Sequence, residues 1–515
     1  MSTQEANRFL AQARDFHLGI LPTEQRHPKT KHLAELSRTK PEKALKILQK
    51  IDVDAISVVI KKTAEIKKLA EAMRETRESG GRVFFYGCGA TGRLSLSIEH
   101  IWRFCNPGAR ADQVRAFMSG GDLALVHSIE NFEDHPEFGA RQMREIGFNE
   151  NDLLVSCTEG GETPSVIGAT EEAAKISKRK PWFLYCNPDS VLKNVTRSRK
   201  VLENKDIEKI CIFVGPMSLS GSTRLQATTV LQLLAGAALF EDVLPLKDLR
   251  AFKSYLKKMS YADITPFVEK ESAAYINGEY FLYASDRYAI TVVTDTTERS
   301  PTFSLPGFEN QREPKTVATL AYAYQPRAKN AEDAWKKLLL REPLPLEWKA
   351  LKGAASEKRL YGFDFSKKLP NLRQKKLGRG KKLHTFSISR TGSYMNFTIG
   401  KTTTKFNVSK LHPLCEHLFL KLLLNAHSTL VMGRLGRFES NVMTWVRPSN
   451  YKLIDRAARY TETLLEREKI RVSYSETVHT IFANAAKLGP ADSVVLATVQ
   501  TLKMKHAKNK NGKIL

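Results

Sequence analysis

Gly87, Gly89 and Gly92 stand at G-x-G-x-x-G spacing directly after an apolar run at 83–86. A strand that ends in such a turn and opens a helix is a phosphate cradle. Small residues let the backbone close on an anion, and the helix N-terminus supplies N–H groups and a positive dipole end. Two ligand classes use it. A dinucleotide fold needs an acidic residue at the end of the second strand, about 20 residues on, to hold a ribose. Here the second apolar run, 114–118, ends in Ser119-Gly120-Gly121, and the nearest acid, Asp122, lies beyond the Gly-Gly turn. The first turn carries Thr91 and Arg93 instead, a hydroxyl and a guanidinium that suit a phosphate monoester. A sugar phosphate is therefore the expected ligand, and neither a nicotinamide nor any other cofactor is expected.

Two further turns repeat this chemistry. After the run at 153–157 comes Thr158-Glu159-Gly160-Gly161-Glu162-Thr163-Pro164, and after 210–214 comes the Gly- and Ser-rich stretch from Gly215 to Arg224. Both read as helix starts, with Ser or Thr as caps and Pro in the first turn. Ligands of open α/β sheets bind beyond the carboxyl ends of the strands. Three hydroxyl-rich turns converging there point to a phosphosugar. Glu159 and Glu162 depart from that pattern, since like charge repels a dianion. They are expected to meet an amine or hydroxyl of the ligand, or the chain's surplus cations.

These turns need a frame. The runs at 83–86, 114–118, 153–157, 182–186 and 210–214 are short, apolar on both faces, and separated by helix-length segments or long connections, which is the pattern of a parallel sheet buried on both sides. Residues 81–245 are thus predicted to form one doubly wound α/β domain, behind a helical segment over 1–80. A second set of strand-like runs lies at 280–283, 289–294, 316–324 and 384–400. A long helix pattern follows from Leu411, and the chain is helical again from about 450. The Lys-, Pro- and Gly-rich region 345–383 reads as an insertion or long loop.

With 515 residues, 42% of them hydrophobic, the chain can build two or three cores. Its net charge of +26, from 81 Lys+Arg against 55 Asp+Glu, attracts anions. The densest basic run, 373–382, reads as a solvated loop. No zinc finger, RNP aromatics or recognition helix accompanies it, so nucleic acid is not the expected partner. No apolar run reaches the ~20 residues that cross a bilayer, so no membrane partner is expected. The first residues lack the apolar core and cleavage site of a signal peptide. Cysteines 88, 105, 157, 186, 211 and 415 show no C-x-x-C spacing. They read as reduced thiols of a cytoplasmic protein, with neither a disulfide framework nor a metal site.

The stretches GCGATGRLS, SGGDLALVHSIENFED (119–134), TPSVIGA (163–169), CNPDS (186–190) and GPMSLSGSTRLQATT (215–229) resemble, in order and spacing, the sugar isomerase (SIS) domain. The branch they resemble contains N-acetylmuramic acid 6-phosphate etherase and glucokinase regulatory protein. YFLYASDRYAITVVTDTTERSPTF (280–303) and KLLLNAHSTLVMGRLGRFESNVM (421–443) are similar to segments of the same family. The resemblance implies two tandem doubly wound parallel-sheet SIS domains, the second degenerate. Their expected extents are 61–250 and 251–450, between an N-terminal helical segment (1–60) and a C-terminal helical cap with a basic tail (451–515).

It also implies site residues. Gly89, Ala90, Thr91, Gly92 and Arg93 would hold the phosphate, with Thr158 and Thr163 at the second turn, Glu130 beside them and Lys421 reaching in from its helix. Glu133 and Glu298 match the two catalytic glutamates of the etherase. Two carboxylates suit an elimination, in which a base removes the proton beside a carbonyl and an acid protonates the leaving ether oxygen. The two halves have decayed in complementary ways. The second offers Arg287-Tyr288-Ala289-Ile290 in place of the glycine turn. The first has Ile101 and Gln232 where the second has Glu298 and Lys421. One composite site is implied. The tandem layout implies a sugar-phosphate sensor, with a sugar kinase or another protein as its partner. The sensor is the first reading; the glutamate pair and Pro301 imply, as the alternative, an etherase-type carbon–oxygen lyase, and a nucleic-acid-associated protein using the 373–382 patch stands third.

Overall fold

The computed structural model describes residues 3–16, 18–129, 132–489 and 492–511. Its first sheet is built from β1 (Val83–Gly87), β2 (Val114–Met118), β3 (Leu153–Cys157), β4 (Trp182–Tyr185) and β5 (Glu208–Cys211), in the order β2-β1-β3-β4-β5 and parallel throughout. Successive side chains of a strand point to opposite faces. In β1, Val83 and Phe85 therefore enter one core, with Leu94, Ile98 and Val230 of the helices Ala90–Cys105 and Gln226–Leu239. Phe84 and Tyr86 enter another, with Met143, Val166 and Ile167 of Pro136–Glu145 and Pro164–Ile176. Helices on both faces make the domain doubly wound, and the continuous apolar runs follow from that double burial.

The second sheet contains β6 (Tyr280–Ala284), β7 (Ala321–Tyr324), β8 (Leu383–Thr391), β9 (Tyr394–Ile399) and β10 (Thr402–Asn407), in the order β10-β9-β8-β6-β7. β6 runs parallel to β7 and β8, reproducing the β2-β1-β3 centre of the first sheet. β9 and β10 run antiparallel. Gly392 and Gly400, at φ +56° and +58°, turn the chain back after each strand. A two-residue connection permits only an antiparallel return, because a parallel one needs a crossover of a dozen residues or more. The second domain's degeneracy thus extends to its sheet.

Three expectations change here. Residues 289–294 are helical, part of Ala289–Phe303, and almost every side chain of that helix is buried. The segment Ala-Ile-Thr-Val-Val-Thr is rich in β-branched residues, and a short buried run of that composition cannot be told from a strand by periodicity. Of the run 316–324, only Ala321–Tyr324 is strand. The region 345–383 holds the helices Glu357–Leu360 and Leu369–Leu377, and it buries Trp348, Phe363, Phe365 and Arg373. Arg373, the first cation of the dense basic run, lies 3.3 Å from Glu309 and donates to the Thr319 carbonyl at 2.6 Å. The run is therefore not wholly solvated.

Both ends of the chain close over the carboxyl edge of the first sheet. The Thr23 N–H donates to Asn187 Oδ1 at 3.1 Å, just beyond β4, and Ser220 Oγ donates to the Glu24 carbonyl at 2.8 Å. The Glu24 carboxylate is gripped by Arg456 at 2.6 Å and Arg459 at 3.1 Å, from the helix Tyr451–Glu466. Among the described residues no helix is long and apolar enough to cross a membrane.

Candidate functional site

The first turn has the shape its glycines require. A Cβ on Gly87 would fall 2.4 Å from the Thr91 carbonyl carbon, and one on Gly92 would fall 2.5 Å from Met118 Cβ. The first closeness makes the turn tight, and the second lets its helix sit on β2. Gly89, the residue before the helix, has φ +56° and open space where its side chain would be. Thr91 is buried. Its hydroxyl accepts from the Cys88 N–H at 3.0 Å and donates to the Cys88 carbonyl at 2.9 Å, so it shapes the turn from within. The first-turn N–H groups of a helix have no intrahelical acceptor, and such groups can donate to an anion; here the Thr91 N–H already meets the Cys88 carbonyl at 3.1 Å and the Arg93 N–H the Gly89 carbonyl at 3.1 Å. Gly92→Ala should lower stability by about 1–3 kcal/mol, the usual range for overpacking, and shift the turn. Denaturant titration beside a ligand-binding isotherm checks this. An unchanged protein would show that the turn tolerates a Cβ.

Arg93 is committed to the second half. Its Nη1 forms a 2.7 Å ion pair with Glu298 Oε1, and its Nε donates to Thr297 Oγ1 at 3.3 Å. Both charged side chains are buried, at 3% and 9% exposed. The structure thus joins Arg93 of the first half to Glu298 of the second, across the interface.

The second turn is held by the 2.9 Å hydrogen bond between the Thr158 and Thr163 hydroxyls. Its two glutamates behave differently. Glu162 pairs with Arg197 and, at 3.2 Å, with Lys452. Burial raises its pKa, but Lys452 and Arg197 outweigh that and hold it at about 2. Glu159 accepts from Thr228 Oγ1 at 3.0 Å, and burial pushes its carboxyl up to about 7 despite Lys452 nearby. The repulsion expected from this pair is therefore eased by two routes, salt bridges for Glu162 and, for Glu159, burial that raises the carboxyl towards neutral pH.

Glu133 is about a quarter exposed and lies 3.3 Å from Lys452 Nζ, while its carbonyl accepts from the Ser165 N–H at 3.0 Å. Lys452 thus bridges Glu133 and Glu162. Glu130 lies outside the described residues. Lys421 is placed differently from Lys452. Its ammonium, with three protons, meets the Arg224 carbonyl at 2.9 Å, the Leu225 carbonyl at 3.3 Å, Thr229 Oγ1 at 2.7 Å and Asn425 Oδ1 at 3.1 Å. It lines a small cleft with Leu94, Ser97 and Gln232. Burial lowers its pKa well below the lysine range, against the pull of Asp52. With its donors saturated by protein, Lys421 anchors the start of the Gln226–Leu239 helix to the second half.

Lys452 is the residue that sequence reasoning missed. A signal was present: Lys452, Arg456 and Arg459 follow i, i+4, i+7 spacing, which places three cations on one face of the Tyr451–Glu466 helix. A second omission is Arg224, whose Nη1 reaches Asp295 Oδ1 at 3.0 Å in a fully buried pair. The site thus gathers the glycine turn, Lys452 bridging Glu133 and Glu162, the Arg93–Glu298 pair and Glu159 with its raised pKa.

A family model described as the glucokinase regulatory protein N-terminal SIS domain matches residues 65–173. The N-acetylmuramic acid 6-phosphate etherase of Psychromonas ingrahamii is 32% identical over 217 residues, which cover 42% of this chain and 67% of that protein. The protein of the same name from Photorhabdus laumondii is 31% identical over 221 residues, with 42% and 67% covered. Among solved structures, the tagatose-6-phosphate ketose/aldose isomerase of Escherichia coli aligns at 9% identity and TM-score 0.42, over 76% of this chain and 94% of that one. The C-terminal domain of glucosamine-fructose-6-phosphate aminotransferase from Francisella tularensis aligns at 12% identity and TM-score 0.39, over 76% and 96%.

Proposed function

Because this chain belongs to the SIS domain family that includes the N-acetylmuramic acid 6-phosphate etherases, we propose that it binds a phosphorylated hexose or amino sugar in one composite site between its halves. We propose further that it acts on a 6-phosphosugar ether by elimination. The carrying observation is the placement of the two glutamates. Glu133 is held by Lys452, and Glu298 by Arg93, a residue of the phosphate turn's own helix. The proposal requires phosphate on the first turn to bring the sugar within reach of both carboxylates. One takes the proton next to the carbonyl carbon. The electron pair left on that carbon forms a double bond as the adjacent carbon–oxygen ether bond breaks, and the departing oxygen receives a proton from the second acid.

The sensor reading has its own support. The family model that matches is that of a regulatory protein, and the second half closes its own glycine-less turn with the fully buried Tyr288. One experiment separates the two. The purified chain, incubated with N-acetylmuramic acid 6-phosphate in D2O, is expected to introduce deuterium beside the carbonyl and to release lactate. A bound but unexchanged sugar phosphate identifies the sensor. A shift of thermal stability with NAD and with no sugar phosphate defeats both.

Glu159 adds a pH dependence. Its carboxyl is raised to about 7, so it keeps a proton below neutral pH and carries negative charge above it. Affinity for a dianionic phosphosugar should therefore weaken in the wild type, relative to Glu159→Gln, as pH rises through about 7. The comparison cancels the ligand's own second ionisation near pH 6. Parallel profiles from calorimetric titration of both proteins would remove Glu159 from the ligand's neighbourhood.

A further inference from the structure

The second sheet repeats the frame of the first site and fills it with a side chain of its own. β6 lies between β7 and β8 as β1 lies between β2 and β3. Register aligns the carboxyl ends, since Gly87 pairs with Cys157 and Ala284 with Ser387. Arg287 and Tyr288 follow β6 where the phosphate turn follows β1. Arg390 lies three residues past Ser387, as Gly160 lies three past Cys157. Between them stands Glu416, in the first turn of the helix Pro413–Arg434.

The Glu416 side chain is 1% exposed. Its Oε1 accepts the Tyr288 hydroxyl, its Oε2 pairs with Arg390 Nη1, and Arg287 Nη2 lies 3.9 Å from the same oxygen. The Arg287 guanidinium lies over the Phe104 ring, 3.9 Å from its centroid. That contact holds it in place from the first half. Two guanidiniums and a phenol around one carboxylate form the donor set of an oxyanion site.

We propose that the carboxyl edge of the second sheet is a second oxyanion cradle of phosphate type, kept occupied by Glu416 as an internal anion. This is why one chain takes one phosphorylated ligand. Tyr288, fully buried, directly precedes its helix as Gly89 precedes the first half's, and Gly89 has open space where a side chain would be. A tethered carboxylate loses no translational freedom on docking, so it excludes a free anion of similar strength. The proposal concerns the second half and holds whether the first half's ligand is a substrate or a signal.

The test is thermal unfolding of Glu416→Ala and Glu416→Gln in chloride buffer of constant ionic strength, with inorganic phosphate titrated in. Both variants should have a lower Tm than wild type. Phosphate should restore it along a saturating curve, with a larger rise than in wild type. Adding Arg390→Ala to either variant should abolish the restoration. The proposal is overturned if the variants keep the wild-type Tm and phosphate response, or if restoration persists without Arg390. It is equally overturned if neither variant folds and phosphate rescues neither. Loss of sugar-phosphate binding by wild type would count against the first site alone.

Discussion

Glu133→Gln and Glu298→Gln should each retain sugar-phosphate binding and lose about 10²–10⁴-fold in turnover of a 6-phosphosugar ether, the usual worth of general acid–base catalysis. Glutamine keeps the length and one acceptor oxygen of glutamate but cannot exchange a proton. The two variants differ in their structural cost. Glu133 is partly exposed and its partner Lys452 keeps Glu162 at 3.2 Å, so Glu133→Gln should unfold near the wild-type temperature. Glu298 is buried against Arg93, whose other contact is the Thr297 hydroxyl. Glu298→Gln should lower stability as well, because a buried guanidinium loses its counter-charge. Turnover, deuterium exchange and Tm measured together distinguish the roles. Full turnover in either variant would remove that glutamate from the chemistry.

Asp295→Ala should cost about 3–5 kcal/mol of stability, the penalty for removing one partner of a buried ion pair. Asp295 Oδ1 accepts from Arg224 at 3.0 Å, Asn425 at 3.0 Å and Ser428 at 2.9 Å, while Oδ2 accepts from Arg299 at 2.9 and 3.1 Å. Burial raises its pKa, but the two arginines prevail and keep it below the usual carboxylate value. Alanine would strip Arg224, from the first half's third turn, of its ion-pair partner in a dry interior, and would leave Arg299, from the second half, paired with Glu271 at 2.8 Å. Asp295→Asn preserves the shape and should lose less. Denaturant unfolding followed by probes in each half is the measurement. Both halves should weaken together, and a loss confined to one half would show that they are not locked by this residue.

The glycine turns were legible because their information is local. Gly87 and Gly92 are required where a Cβ would meet backbone or Met118, and Gly89 where φ is positive, so spacing alone marks the turn. Double burial of a parallel sheet likewise writes itself into every strand as an unbroken apolar run. Direction in the second sheet was less legible, since the composition of β9 and β10 is the same for a parallel or an antiparallel neighbour. Only the length of the Gly392 and Gly400 connections decides it. The helix Ala289–Phe303 hid for a related reason: its opening run, Ala-Ile-Thr-Val-Val-Thr, is short, buried and rich in β-branched residues, so periodicity cannot tell it from a strand.

What the sequence by itself determined was therefore the set of elements and the chemistry at the strand ends. What only the tertiary structure decided was which charges meet. Arg93 belongs to the phosphate turn by sequence, yet it turns to Glu298, 205 positions on. Lys421 was expected at the phosphate and instead satisfies the Arg224 and Leu225 carbonyls. Lys452, in a cap with no expected chemistry, reaches Glu133 and Glu162 about 300 residues before it. A helix period records that a side chain is on an inner or outer face, but a charge buried on an inner face takes whichever counter-charge the packing brings within about 4 Å. The energetic demand to be paired is local, whereas the identity of the partner is set by the whole fold.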